Sequence, residues 1–325
     1  RDKLKPHVHY KTCFRHMIRG NSHLMKLFSP SLLYRMLIRE EYDIVVSYLE
    51  GPPARIISGC PFPSKKVCWL HIELNDEKAV AAGFRNYQEA IQCYQKYDQL
   101  VAVSETVKSA FCSSSGVQPD RIQVLYNTNE TNQIQKLAKL PVNDVDFEKD
   151  TLSICSVAKI TPNKGYDRLA RVHKRLIDEG LRHHIYILGI GEQRKEIEAY
   201  LKENHLESSF TFLGFQDNPY KYVAKCDLYV CSSLREGFST AVTEALIVGT
   251  PVVSTLCSGA KELLGVNNEY GIVTANDEDA LYQGIKSLLN NPGLLAHYKE
   301  MAAQRGKDFS TEETVRAVEK LLLAL

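Results

Sequence analysis

Two carboxylates and two hydroxyl side chains gathered around one helix start could do chemistry together in this sequence. The stretch from Ser233 to Val253 reads as a strand end, a short loop, a helix of about two turns and a new buried strand. Ser239 or Thr240 stands where a helix N-cap belongs, and Gly249 with Pro251 supplies the stop. Glu236 falls in the loop and Glu244, eight positions on, about one turn into the helix. Open backbone N–H groups and partial positive charge at such a helix start suit a phosphate. Glu244 would lie beside that anion and accept hydrogen bonds from a sugar hydroxyl, while Glu236 reaches the other side of the same ligand. A phosphate site flanked by carboxylates aimed at hydroxyls points to a sugar nucleotide. A second stretch, from Ser156 to Gly165, follows a buried strand and runs into a helix, with Lys159 and Lys164 on the loop between them.

The first segment resembles the E-x7-E signature of the retaining GT-B glycosyltransferases, and most of all glycosyltransferase family four. The likeness goes past the two glutamates to Glu236-Gly-Phe-Ser239, Glu244-Ala245 and Gly249-Thr-Pro-Val-Val253. In the second segment Lys164-Gly165 matches the family directly, whereas Ala158 and Lys159 replace its glycine-arginine pair. Lysine keeps the charge there but loses the planar fork of arginine.

The resemblance implies an α/β fold of GT-B type, two Rossmann-like domains facing across a cleft. Residues 1–148 are expected as the N-terminal, acceptor-side domain and 149–310 as the C-terminal, nucleotide-sugar-binding one, with 311–325 crossing back to complete the first. Family members open with a strand and a glycine-rich turn, whereas the first convincing buried strand here is at 43–48. The N-terminal domain is therefore expected to be incomplete at its start.

By the same resemblance Lys159 and Lys164 grip the donor diphosphate, Glu236 touches the sugar hydroxyls and Glu244 the ribose. Backbone groups of Gly237, Phe238, Ser239 and Thr240 would meet the sugar and phosphates. Gly189, in Leu188-Gly-Ile-Gly191, and Phe215 with Gln216, after Leu213-Gly214, are further donor-site candidates. Each of these also reads as a tight turn after a strand. His71 ends a strand where the family often places a histidine that reaches the donor sugar; a lone histidine at a strand end is as readily structural. Glu50-Gly51 could face the acceptor. Asn127 resembles the asparagine of the family's P-N-G turn, but Tyr126 and Thr128 replace its neighbours, and it is read as structural.

Departure of a nucleoside diphosphate from the anomeric carbon puts new negative charge on the β-phosphate. Two ammonium groups and a helix N-terminus preorganised around it would stabilise that charge, each such donor being worth typically about 2.7–4 kcal/mol. Neither a metal nor a cofactor beyond the donor is then expected. In the family, retention is explained by a front-face reaction in which a phosphate oxygen takes the acceptor's proton. Glycoside hydrolysis would instead need a carboxylic acid and a carboxylate on opposite sides of the bond, and nothing makes Glu236 and Glu244 that pair.

Composition is that of an ordinary globular protein, 44% hydrophobic and 24% charged. No apolar run approaches the roughly 18–20 residues of a membrane span. The nine cysteines are odd in number, scattered and free of C-x-x-C pairs, so reduced thiols and a cytoplasmic setting are expected. The net charge of +1 gives no support to nucleic-acid binding. Charge is uneven, however: residues 1–39 hold nine Lys/Arg and four histidines against one acid, Asp2, leaving a net of −7 on the rest. Such a segment can draw a protein to an anionic membrane surface. Ser29-Pro30 is a good helix start, with Leu33, Met36 and Leu37 as an apolar stripe beside Arg35 and Arg39. A helix packed on its domain with solvated basic residues fits the same pattern.

These residues need a scaffold, and short apolar runs alternating with amphipathic stretches provide a parallel α/β one. Strands are predicted at 44–48, 67–71, 100–103 and 122–126, then at 152–157, 184–188, 210–213, 228–231 and 252–254. Helices are predicted at 105–111, near 134–140, and at 165–179, 193–204, 220–224, 277–289, 292–305 and 311–325. The implied activity is a retaining transfer of a hexose or N-acetylhexosamine from an NDP-sugar, UDP above all, to a glycan acceptor. A lipid-linked acceptor in bacterial surface-polysaccharide synthesis, met by a cytoplasmic protein peripheral to the inner membrane face, is the family's habit. The alternatives are a GT-B sugar-nucleotide epimerase and a non-catalytic glycosyltransferase-like partner subunit.

Overall fold

The computed structural model describes residues 24–148 and 150–325. Most of the basic segment read at 1–39 thus lies outside the described residues. The chain divides into two compact units, one formed by residues up to 102 with 108–123 and 325, the other by 103–107 with 124–324.

The first unit carries a four-stranded sheet in the order β1 (Ile44–Ser47), β2 (Lys65–Leu70), β3 (Gln99–Ala102), β4 (Ile122–Val124). β1, β2 and β3 run parallel. Short helices Pro52–Ile57, Glu77–Val80 and Tyr87–Tyr94 join them. These three go unseen in the sequence, yet two have clear caps. Asp76 accepts from Ala79 N at 2.7 Å and Asn86 from Glu89 N at 2.9 Å. Tyr94 is buried in edge-on contact with Phe111. Arg55, 1% exposed, forks onto Glu89 at 3.0 and 2.8 Å and ties down the carbonyls of Met25 and Phe28. A buried charge persists only when paired in this way.

A six-stranded parallel sheet organises the second unit, in the order β10 (Ile272–Thr274), β9 (Val252–Thr255), β8 (Leu228–Cys231), β5 (Leu152–Val157), β6 (His183–Leu188), β7 (Phe210–Gly214). Alternation along the strands serves two cores: Ile154, Leu228 and Val230 face one side, Cys155, Tyr229 and Cys231 the other. Leu169, Val172 and Leu176 of helix Tyr166–Asp178 cover the first side; Val242, Ala245 and Leu246 of helix Thr240–Ile247 cover the second. β10, three residues long, goes unseen in the sequence.

The α/β expectation holds, and the strands foreseen form at their places. The second unit takes in residues 124–148, ahead of the expected start at 149. Ile134, from helix Thr131–Ala138, is buried in its core, and Val142, Val145 and Phe147 pack on it. Helix Thr311–Leu323 also groups with this unit, its Thr311 hydroxyl donating to Asn129 O at 2.6 Å.

Candidate functional site

Strand order reverses beside β5, with β8 on one side and β6 on the other. Loops leaving the carboxyl ends of two strands diverge at such a point and open a crevice. Here the crevice lies between the loop after β5 and the loop after β8. A cavity of about 400 Å³ is lined by Lys159 and Lys164 from the first loop and by Glu236, Phe238, Ser239, Thr240 and Glu244 from the second loop and its helix.

Backbone geometry bolts the two loops together. Gly165 adopts φ +63°, and a Cβ there would stand 2.3 Å from Ser232 O, so only glycine lets the chains approach this closely. Ser232 Oγ donates to Lys164 O at 2.8 Å and Leu234 N to Asn163 O at 2.8 Å. Asn163 Nδ2 donates to Arg235 O at 2.8 Å. From helix Tyr166–Asp178 the buried Arg168 donates to Ser232 O at 2.6 Å and to Asn276 Oδ1 at 3.0 Å. Asn276 in turn donates to Leu234 O and Leu256 O, both at 3.0 Å. Sequence reasoning missed Arg168, Asn163 and Asn276 because such bolts have no local signature.

With the loops fixed, Lys164 Nζ reaches Glu236 Oε1 at 2.7 Å, and Ser233 Oγ donates to the same oxygen at 2.6 Å. Both partners of the ion pair are mostly buried. Lys159 is exposed at the cavity wall. Ser239, not Thr240, is the N-cap, its hydroxyl accepting from Val242 N at 3.4 Å, and Thr240 opens the helix. Glu244 sits one turn in; burial pushes its pKa up, against the hydrogen bond it accepts from the Tyr220 hydroxyl at 3.1 Å.

Other candidates lie elsewhere. Gly189 does not line the cavity; a Cβ there would meet Ala158 O at 1.8 Å, and Gly191 is as tightly placed against Ile160 O. Both serve the close approach of the Lys159 loop, which hydrogen-bonds alongside through Ala158 N to Leu188 O and Ile160 N to Ile190 O. Phe215 and Gln216 follow the edge strand β7 and do not line the cavity. Phe215 is exposed, and Gln216 Nε2 donates to Leu213 O at 2.9 Å. Gly237 lies in the loop between Glu236 and Phe238, its side-chain-free position outside the cavity lining.

In the first unit His71 follows β2, its N–H donating to Glu50 Oε2 at 2.8 Å and its ring edge-on to Tyr48. Burial lowers its pKa, Glu50 opposing, and its Nε2 is buried without a hydrogen-bond partner among the described residues. Asp144-Val-Asp146 has D-x-D spacing, but Asp144 accepts from the Tyr222 hydroxyl at 2.6 Å and pairs with Lys221. Among the described residues no group of three or more His, Cys, Asp or Glu side chains is placed to hold a metal ion.

Known proteins resemble this chain in sequence and in fold. Residues 142–305 match the family model for glycosyl transferases group 1, and residues 2–133 the model for glycosyltransferase family 4. Over 232 residues the chain is 34% identical to a Campylobacter jejuni protein named N-acetylgalactosamine-N,N'-diacetylbacillosaminyl-diphospho-undecaprenol 4-alpha-N-acetylgalactosaminyltransferase, covering 71% of this chain and 61% of that one. The chain thus spans about three fifths of the length of that relative. A glycosyltransferase structure from Rickettsia africae superposes with a TM-score of 0.79 at 17% identity, covering 98% of this chain and 86% of the other. Anabaena HepE in complex with UDP and glucose superposes with a TM-score of 0.71 at 19% identity, covering 87% and 78%. The architecture is GT-B, and with half of its length matched by the family model the chain belongs to the glycosyl transferases of group 1.

Proposed function

We propose that this protein is a retaining glycosyltransferase that moves a hexose or N-acetylhexosamine from a UDP-sugar to a lipid-linked glycan acceptor in bacterial surface-polysaccharide synthesis. The observation that carries this reading is the convergence of Lys164, Glu236 and Glu244 on one cavity at the mouth of helix Thr240–Ile247. A β-phosphate entering that mouth would meet open N–H groups and the ammonium groups of Lys164 and Lys159. Glu236, released in part from Lys164, would accept from the sugar hydroxyls, and Glu244 from the ribose. Charge developing on the leaving diphosphate is then stabilised without a metal, and a phosphate oxygen takes the proton of the incoming hydroxyl. The name of the Campylobacter relative supports an undecaprenol-linked acceptor, and the HepE complex supports UDP.

Attachment to an anionic membrane face belongs to the same proposal. Between residues 24 and 39 the sequence holds Lys26, Arg35 and Arg39 and no acid. Leu24, Leu27, Leu32 and Met36 are exposed there, Leu27 by 72%. Arg85 grips the carbonyls of Lys26 and Leu27 while Arg55 grips those of Met25 and Phe28, which fixes this segment's backbone. Among the described residues no helix is long and apolar enough to cross a membrane.

The deciding experiment incubates the protein with a panel of UDP- and GDP-sugars, first with water and then with polyprenyl-diphosphate glycans as acceptors. Nuclear magnetic resonance then reads the product anomer. Consumption of a UDP-sugar with retained configuration, undiminished by a chelator, is expected. Inverted product would overturn the retaining mechanism, and failure to consume any donor would overturn the transferase.

A further inference from the structure

Phe238 lines the cavity, and its ring stacks on that of Tyr126, centroids 5.2 Å apart and planes 16° apart. Phe309, fully buried, touches both rings, 5.6 Å from Tyr126 and 6.4 Å from Phe238. Gly259 abuts the same Phe238 ring so closely that a Cβ would stand 2.8 Å from its edge. Tyr126 is anchored in turn. Burial first, then the charge of the nearby Glu262 carboxylate, push its pKa up to about 12. Both Glu262 oxygens accept from Glu105 N, at 3.1 and 2.9 Å, and Arg305 donates to Glu262 O at 2.5 Å. The Arg305 guanidinium also lies 5.0 Å over the Phe309 ring.

Phe238 immediately precedes the N-cap Ser239. Its backbone angles therefore help to set where the first N–H groups of helix Thr240–Ile247 point. A free Phe238 would let the loop between Glu236 and the helix sample other conformations, whereas a stacked one holds a single rotamer. From this geometry we infer that Tyr126, stacked on Phe238 and packed against Phe309, is a positioning residue for the anion-binding mouth, acting through the Phe238 ring without touching the ligand. The inference rests on reading the cavity as a nucleotide-sugar site. Tyr126 stands where the resemblance would have placed a proline, so residue type alone gave no hint of this role.

Two measurements on the wild-type protein, Tyr126→Ala, Tyr126→Phe and Glu262→Ala test it. Hydrogen–deuterium exchange without nucleotide is expected to quicken at residues 237–242 in Tyr126→Ala. Calorimetry is expected to show UDP binding weakened about twofold to tenfold, the worth of one aromatic stack. Tyr126→Phe, which retains the ring, should recover most of both readings, and Glu262→Ala should shift both in the same direction by less. Wild-type exchange in Tyr126→Ala, or a phenylalanine variant as impaired as the alanine one, overturns the inference. Should the alanine variant not fold, Tyr126→Leu, which keeps apolar bulk without a ring, is read the same way. Wild-type protein that binds no UDP would instead overturn the donor-site reading, while the exchange comparison still decides the clamp.

Discussion

Lys164 Nζ and Glu236 Oε1 meet at 2.7 Å across 72 positions of sequence, and the pair forms one wall of the cavity. Each neutralises the other, so neither charge is left unpaired in a mostly buried place. On the proposed function an arriving donor would share Lys164 with Glu236, coupling phosphate binding to the freeing of a carboxylate for the sugar. Lys164→Ala is therefore expected to lower turnover by about 10²–10³-fold, the worth of one preorganised donor to the transition state. Glu236→Gln keeps the shape but frees the lysine, and should impair turnover more than UDP affinity. Steady-state kinetics on one donor check both, and unimpaired transfer by Lys164→Ala would remove the diphosphate role.

Glu244 gives a pH signature. Burial holds its pKa above the ordinary glutamate value, and the ionised form would be the stronger acceptor for the ribose hydroxyl of the proposed donor. UDP affinity should consequently fall as pH drops toward that raised pKa, at higher pH than a solvated glutamate would allow. Glu244→Gln should flatten the profile. Glu244→Ala should weaken binding by about 1.5–3 kcal/mol, roughly tenfold to a hundredfold in Kd. Calorimetric titrations with UDP between neutral and mildly acidic pH decide it, and an alanine variant of unchanged affinity would dismiss the ribose contact.

For the membrane surface, the exposed Leu27 and Met36 beside Lys26 and Arg35 predict binding to vesicles with anionic lipid and release by salt. Leu27→Glu with Met36→Glu should abolish co-sedimentation while UDP binding persists. Equal binding to neutral vesicles, or none at low salt, would contradict an electrostatic anchor.

What the sequence discloses of this site is what one short segment can encode. Glu236, Ser239 and Glu244 share a loop and a helix start, so spacing alone relates them. Lys164 reads from its own loop, but its partnership with Glu236 does not, because the contact is made by β5 and β8 becoming neighbours. Gly189 carries a different message. A glycine after a strand signals close backbone approach, and the fold shows that the approaching backbone is Ala158. Arg168 sits on a helix like any other arginine, and only the fold shows it buried against Ser232 O. Three-residue β10 offers only two apolar residues, Ile272 and Val273, and leaves no run that stands out in the sequence.

In the first unit stability is predicted to hinge on Arg55 and Glu89. The guanidinium is buried, satisfied by one carboxylate and two carbonyls, and burial of Glu89 is outweighed by the arginine, which leaves its pKa lowered. Removing one partner strands the other, at a cost of about 3–5 kcal/mol. Glu89→Ala should lower the urea midpoint accordingly, and Arg55→Lys should recover little because an ammonium cannot fork. A loss below about 1 kcal/mol, the usual worth of a surface pair, would refute the burial argument.

A buried histidine pair makes the second unit acid-sensitive. His183 Nδ1 donates to Leu181 O at 2.8 Å, so its Nε2 accepts from His173 Nδ1 at 2.7 Å, and His173 Nε2 accepts from the Ser209 hydroxyl at 2.9 Å. This chain satisfies both rings only when neutral, and burial pushes His173 down to about 2 and His183 to about 4. Unfolded histidines take up protons as pH falls through about 6.5. Between that value and the folded ones the unfolded chain binds more protons. Stability is thus complete above about pH 6.5 and declines below it, by up to about 1.4 kcal/mol per pH unit for each ring. Urea unfolding followed from pH 7 to pH 5 should show this slope. His173→Asn should be less stable at pH 7 yet lose stability more gently on acidification, and a variant with the wild-type slope would rule the pair out as its source.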